Sequence, residues 1–155
     1  MPFSLMDVAV QRYGHRGSLW ITRFRFITLG GMKVAAVQLT STGNIIENQE
    51  IALTKIREAA GNGARLIVLP EATSQNFRSG RLDEQAQSLE GAFATAIQAL
   101  AEELEVTVVA GMFCPADTVE RDGKTINRVS NTALIAGPGV LGGYDKIHTL
   151  SLIHI

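Results

Sequence analysis

Leu66-Ile-Val-Leu-Pro-Glu-Ala72 is the stretch from which the fold can be read. Four consecutive apolar residues, Leu66 to Leu69, are too few for a helix and read as a strand buried on both faces, as in a sheet covered by helices. Pro70 has no amide hydrogen to give a neighbouring strand, so pairing weakens just before Glu71. A second strand exit lies in Gly143-Tyr-Asp-Lys-Ile-His148, where Lys146 follows an apolar run. A carboxylate and an amine placed this way suit a general base and a fixed positive charge in one pocket. Chemistry on a carbonyl or nitrile carbon uses both, together with a nucleophile.

Outward from this strand the order reads β-α-β-α-β-β-β. Lys33–Gln38 is the first strand and Ile46–Ala60 the first helix. Ala52, Leu53, Ile56, Ala59 and Ala60 form the helix's apolar stripe, with Glu47, Glu50, Lys55, Arg57 and Glu58 on the wet side. Asn44 or Asn48 caps its start, and Gly61 or Gly63 ends it. After the Leu66–Leu69 strand comes a polar loop from Thr73 to about Gln87, a usual place for binding residues. A second helix spans Gly91–Glu105, with Phe93, Ile97, Leu100, Ala101 and Leu104 on one face. Three strands follow: Val106–Phe113, Val129–Ala136 and Val140–Tyr144. Ala116–Asn127 reads as a charged connection carrying an Asp122-Gly123 hairpin signal. Helices between the early strands and hairpins after them imply an α/β domain (α+β by some schemes) with a mixed sheet, helices covering one or both faces.

The 155 residues are 46% hydrophobic and 19% charged, with mean hydropathy +0.14, a composition that supports one domain with a real core. A net charge of −1 gives no electrostatic reason to expect nucleic acid or an anionic membrane as a partner. No apolar run approaches the roughly 18–20 residues of a membrane span. One cysteine allows no internal disulfide. His15, His148 and His154 show no metal-ligand spacing, so no metal site is expected.

Residues 1–31 differ from the rest. They hold five of the nine aromatics, and four arginines stand against Asp7 alone, leaving the remainder at a net −4. Arg23 and Arg25 interrupt the best apolar stretch, which argues against a secretory core. The preferred reading is a misassigned start, with Met32 opening the domain. The alternative is an extension that packs on the domain or guides assembly. At the other end, Leu150-Ser-Leu-Ile-His-Ile155 matches what a transposon-end sequencing adaptor encodes in one frame. Residues 150–155 are therefore expected to be a non-native tail, the bland alternative being the start of another strand. Residues 32–149 are then the domain proper.

Two motifs have plain explanations. Gly137-Pro-Gly-Val-Leu-Gly142 fits G-x-G-x-x-G, but no helical stripe follows to present amides to a pyrophosphate, so it reads as a turn. Cys114, in Ala110-Gly-Met-Phe-Cys-Pro115, has no electropositive neighbour in sequence and reads as a structural thiol rather than a nucleophile.

Glu71 and Lys146, in this order and context, match something specific. The chain from Lys33 to about His148 resembles the nitrilase superfamily of carbon–nitrogen hydrolases. The resemblance rests on Val34-Ala-Ala-Val-Gln38, Asn48, Gly63-Ala-Arg-Leu-Ile-Val-Leu-Pro-Glu-Ala72, Val109-Ala-Gly111, Asn131-Thr-Ala-Leu134 and Tyr144-Asp-Lys-Ile-His148. Within the superfamily it is most similar to amidases of the ω-amidase and deaminated-glutathione-amidase kind. The resemblance implies the N-terminal half of a four-layer αββα sandwich. It also implies a cytoplasmic enzyme, a homodimer or higher homo-oligomer at full length, and a small-molecule amide as substrate with no cofactor. The implied catalytic set is a Glu–Lys–Cys triad in which Glu71 matches the general base and Lys146 the oxyanion-stabilising lysine. The family's cysteine lies further along, so Cys114 does not match it and the chain is expected to be inactive alone. Tyr144 and His148, flanking Lys146, and Phe77, in the loop after Glu71, are candidate substrate contacts. A nucleotide- or flavin-binding module on the Gly137–Gly142 turn, or a non-catalytic interaction domain, are the alternatives.

Overall fold

The computed structural model describes residues 5–15 and 18–147, with side chains from residue 24 to 147. Seven strands, β1 (Leu5–His15), β2 (Ser18–Leu29), β3 (Met32–Gln38), β4 (Leu66–Val68), β5 (Thr107–Arg121), β6 (Lys124–Gly137) and β7 (Val140–Asp145), form one sheet in sequence order. Helix α1 (Ile45–Gly61) joins β3 to β4, and α2 (Ala92–Glu103) joins β4 to β5. Those two pairs are parallel and the other four antiparallel, so the sheet is mixed. Parallel neighbours need a crossover, and successive right-handed crossovers moving the same way along a sheet put their helices on the same face. α1 packs on α2 accordingly.

The core lies between that face and the helices. Ala52, Ile56 and Ala59 from α1 and Phe93, Ile97, Leu100 and Ala101 from α2 are buried, as the two apolar stripes predict; Ala94 joins them, while Leu53, Ala60 and Leu104 of the stripes are only partly buried. Beneath them lie Ala35, Val37, Ile67, Val108, Ala110, Met112, Leu134 and Ala136, alternate residues of four strands. Among the described residues the other face carries no helix. Ala36, Val68, Val109 and Ile135 stand in register across it, with Val68 36% and Ile135 38% exposed. The four-residue apolar run therefore does not mean burial on two sides: Ile67 and Leu69 are buried, Val68 is not.

Helix ends follow local chemistry. Asn44, not Asn48, caps α1, its Oδ1 accepting from the amides of Ile46 and Glu47. At the other end the amides of Gly63 and Ala64 donate to the carbonyls of Ala60 and Ala59, a Schellman closure that places Gly63 at φ +85°. Lys55 departs from the wet side assigned to it. It is 5% exposed, pairs with Glu58 at 2.8 Å, and sits 5.7 Å from the Phe24 ring centroid.

Phe24 belongs to β2, which pairs with β3 from Arg23↔Gln38 to Leu29↔Met32. Phe24 and Phe26 are buried in the core and stack with centroids 5.9 Å apart, while Arg25 between them is exposed. Residues 24–29 thus pack on the domain. The Ala116–Asn127 segment is also more regular than its charges suggest. β5 and β6 continue as one long hairpin to a two-residue turn at Asp122 and Gly123, both at positive φ. A bulge after Pro115, which cannot donate to the ladder, sets two residues against Arg128 alone.

Candidate active site

Glu71 leaves the sheet two residues after Leu69, and its position is fixed by the neighbouring strand. The amide of Leu69 donates to Val109 O, the amide of Gly111 donates to Pro70 O, and the amides of Thr73 and Ser74 both donate to Gly111 O. This turn lies so close to β5 that a Cβ on Gly111 would fall 1.6 Å from Glu71 O. Ser74 continues the attachment, its Oγ accepting from the Phe113 amide, and its carbonyl accepts from the buried Asn48 amide. Asn48 also bonds both main-chain groups of Thr42, so α1, the β3 exit and the loop after Glu71 are tied at one point.

Lys146 arrives from β7. Asp145, the last strand residue, accepts a 2.5 Å bond from the Thr132 hydroxyl, which faces the helices. Consecutive residues of a strand point to opposite faces, so Lys146 turns to the open side. Its Nζ lies 2.6 Å from Glu71 Oε1. The same oxygen accepts a 2.7 Å bond from Asn131 Nδ2, and Asn131 O accepts from the Lys146 amide at 2.8 Å. Residues 75 apart in sequence are thereby in direct contact. The ammonium hydrogen bond, then the Asn131 amide, hold the Glu71 carboxyl below its ordinary value of 4.5, against a smaller upward pull from burial. Between the opposing influences that the sequence leaves open, the cation prevails. The pair is not enclosed: the Glu71 side chain is 49% exposed and that of Lys146 35%.

Phe77 packs edge-on against Phe113 with centroids 5.2 Å apart, and Phe113 is Asn131's partner across the β5–β6 ladder. Phe113 thus stands between Phe77 and the strand that carries Asn131, and 45% of the Phe77 surface is open. Tyr144 pairs with Ala133 on the same open face and is 58% exposed. His148 lies outside the described residues.

Cys114 sits elsewhere. It alternates with Phe113 and shares the helical face with Met112 and Thr132, lining a cleft of about 420 Å³ with Leu89, Glu90 and Asp145. Burial pushes its thiol up, and the Asp145 and Glu90 carboxylates add to this against a hydrogen bond with Thr132. The Gly137–Gly142 segment joins two antiparallel strands, and β7, not a helix, follows it. The nucleotide-binding alternative loses its structural basis there. Among the described residues no three His, Cys, Asp or Glu side chains group as metal ligands.

Asn131 and Gly111 both lie in stretches that carry the family resemblance, and Asn131 has no role legible from sequence. A glycine inside a strand does signal close backbone approach, which is how Gly111 is used.

Residues 33–153 match the carbon-nitrogen hydrolase family. The chain belongs to that family. It is similar to a nitrilase of Pyrococcus abyssi, 38% identical over 125 residues that cover 76% of this chain and 44% of the relative. It is likewise similar to a deaminated glutathione amidase of Synechocystis, 35% identical over 115 residues covering 74% and 41%. The carbon–nitrogen hydrolase fold is shared with the crystal structure of an amidase from Nesterenkonia sp., at TM-score 0.60 and 18% identity over 77% of this chain and 44% of that one. The chain spans about 40% of the length of the curated relatives it matches.

Proposed function

We propose that this chain carries the acid–base and oxyanion half of an amidohydrolase centre. Glu71 is the general base, Lys146 the cation that holds the oxyanion, and a cysteine from sequence outside these 155 residues the nucleophile. The 2.6 Å contact between Lys146 Nζ and Glu71 Oε1 is the observation that carries this reading. It supplies a proton acceptor and a fixed positive charge within one substrate's reach.

Glu71 takes the thiol proton as sulfur attacks the carbonyl carbon. The carbonyl π pair moves to oxygen, where the Lys146 ammonium stabilises it; one such preorganised donor is worth roughly 3–4 kcal/mol. The C–N bond then breaks, and Glu71 returns the proton to the departing nitrogen, releasing ammonia and leaving a thioester. Water adds to the thioester with its proton going to Glu71. The thiolate leaves and is reprotonated, giving the carboxylic acid. No cofactor enters this balance. A carboxyl held low is fully ionised at neutral pH but a weak base.

A small carboxylic-acid amide is the proposed substrate class, in keeping with the Synechocystis relative's name and the ω-amidase-like motifs. Tyr144, His148 and Phe77 are proposed substrate contacts. The resemblance also supports a cytoplasmic homodimer or larger homo-oligomer for the full-length protein. Cys114 has no part in the scheme, because its side chain belongs to the opposite face of the sheet from Asn131 and Glu71.

The test is ammonia release from glutaramate-like amides by residues 1–155. The expected result is no turnover, with Cys114→Ala indistinguishable from the parent. Turnover abolished by Cys114→Ala would overturn the assignment of the nucleophile.

A further inference from the structure

Beyond Glu71 and Lys146, one residue of β6 bonds to both segments of the pair. Asn131 donates from its side-chain amide to Glu71 Oε1 at 2.7 Å, and its main-chain carbonyl receives the Lys146 amide at 2.8 Å. A carboxylate only accepts, so the atom facing Oε1 is the amide nitrogen. Lys146 Nζ meets this same oxygen at 2.6 Å. Oε2 receives no hydrogen bond among the described residues. The two carboxylate oxygens are thus inequivalent: one is held by two donors, the other is open.

We propose that Asn131 is a positioning residue for the reaction, orienting Glu71 by Oε1 so that Oε2 alone exchanges protons with nucleophile, leaving group and water. The proposal rests on the reading of Glu71 as the base. An asparagine suits the task on chemical grounds. Its amide supplies a donor with no charge of its own, so it fixes the carboxylate without adding a second cation beside Lys146. A strand residue also suits it, since β6 is hydrogen-bonded on both sides, to β5 and to β7. The donor's position is then set by the ladder and not by a loop.

The experiment is an NMR titration of the Glu71 carboxyl carbon in residues 1–155, labelled at glutamate and assigned with Glu71→Gln. Asn131→Ala, Asn131→Asp and Lys146→Met are compared with the parent, and a retained amide spectrum reports that each is folded. Asn131→Ala should move the Glu71 midpoint upward, and Asn131→Asp, nearly isosteric and so the variant that keeps the strand packed, should move it further by replacing a donor with an anion. Lys146→Met should raise it independently. If neither Asn131 variant moves the midpoint while Lys146→Met does, Asn131 is a strand residue only and the proposal is overturned. The titration needs no turnover. A Glu71 that responds to Asn131 in a protein whose completed form hydrolyses no amide would sink the hydrolase reading and with it the catalytic purpose of the positioning, leaving only the Asn131–Glu71 hydrogen bond.

Discussion

Gly111 and Glu71 set the tolerance of the site at the scale of single residues. A methyl group on Gly111 would occupy the place of the Glu71 main chain, with the carbonyl oxygen 1.6 Å away and the carbon 2.2 Å away. No side-chain rotation relieves a backbone clash. Gly111→Ala should cost about 3 kcal/mol or more, at the upper end of overpacking penalties, and lower the urea midpoint accordingly. The Glu71–Lys146 pair should matter far less to stability, because both side chains are over a third exposed and such pairs contribute at most about 1 kcal/mol. Its pH dependence has a definite sign. The folded carboxyl titrates below its ordinary 4.5, so its contribution is complete above that value and disappears as pH falls through the lower folded value. The stability gap between the parent and Lys146→Met should therefore be constant near neutrality and close in acid, as measured by urea unfolding at a series of pH values. A gap that widens in acid would reverse the assigned shift. Glu71 and Lys146 stand out in the sequence because strand exits are marked by apolar runs. Asn131 does not, since a polar residue at a strand's edge of burial has nothing in its own neighbourhood to name its partner.

At the scale of elements, the two helices end alike but with different residues. The carbonyl pattern that closes α1 on Gly63 recurs where Glu105 and Val106 donate to Glu102 O and Ala101 O after α2. There the left-handed position, φ +51°, holds Glu105, which pays the steric cost a glycine avoids. Its one ion pair among the described residues, to Arg65 at 3.9 Å, is exposed at both ends. Glu105→Gly should stabilise the protein by about 1 kcal/mol, read as a higher urea midpoint at unchanged slope. Helix positions and stripes are legible because 3.6-residue periodicity persists over several turns. Shorter signals mislead in particular places. Leu66–Leu69 is too brief for alternation to tell one buried face from two. Lys55 lies at the border of the α1 stripe, where Phe24 from a distant strand covers it. Charges across Ala116–Asn127 suggest a loop, but in a two-stranded ribbon open to solvent every side chain can be polar, and the turn residues are the truer guide.

At the scale of the whole molecule, the described residues leave the sheet one face covered by helices and one face largely uncovered. Val68, Ile135 and Tyr144 on the bare side are at least a third exposed, and contiguous apolar surface of this kind drives association. Residues 1–155 should sediment as a concentration-dependent mixture, and Val68→Lys with Ile135→Lys should shift it toward monomer; a monodisperse monomer before any substitution would contradict this. The N-terminal segment shows how a pattern can be read with the wrong period. Arg23 and Arg25 look like interruptions of an apolar stretch. With period two, Arg25 alternates with Phe24 and Phe26, which face the core beside Val37 and Ala35, and Gly30-Gly31 supplies the turn into β3. The topology that brings Glu71 and Lys146 together follows from the same sheet: β4 and β7 release their chains at one end, with β5 and β6 between them. The decisive measurement is ammonia release from a small ω-amide by this chain continued after Thr149 with the C-terminal part of the Synechocystis amidase. Turnover that falls by roughly 10²–10³-fold in both Glu71→Gln and Lys146→Met is the predicted result. Turnover that survives either substitution unchanged would contradict the account.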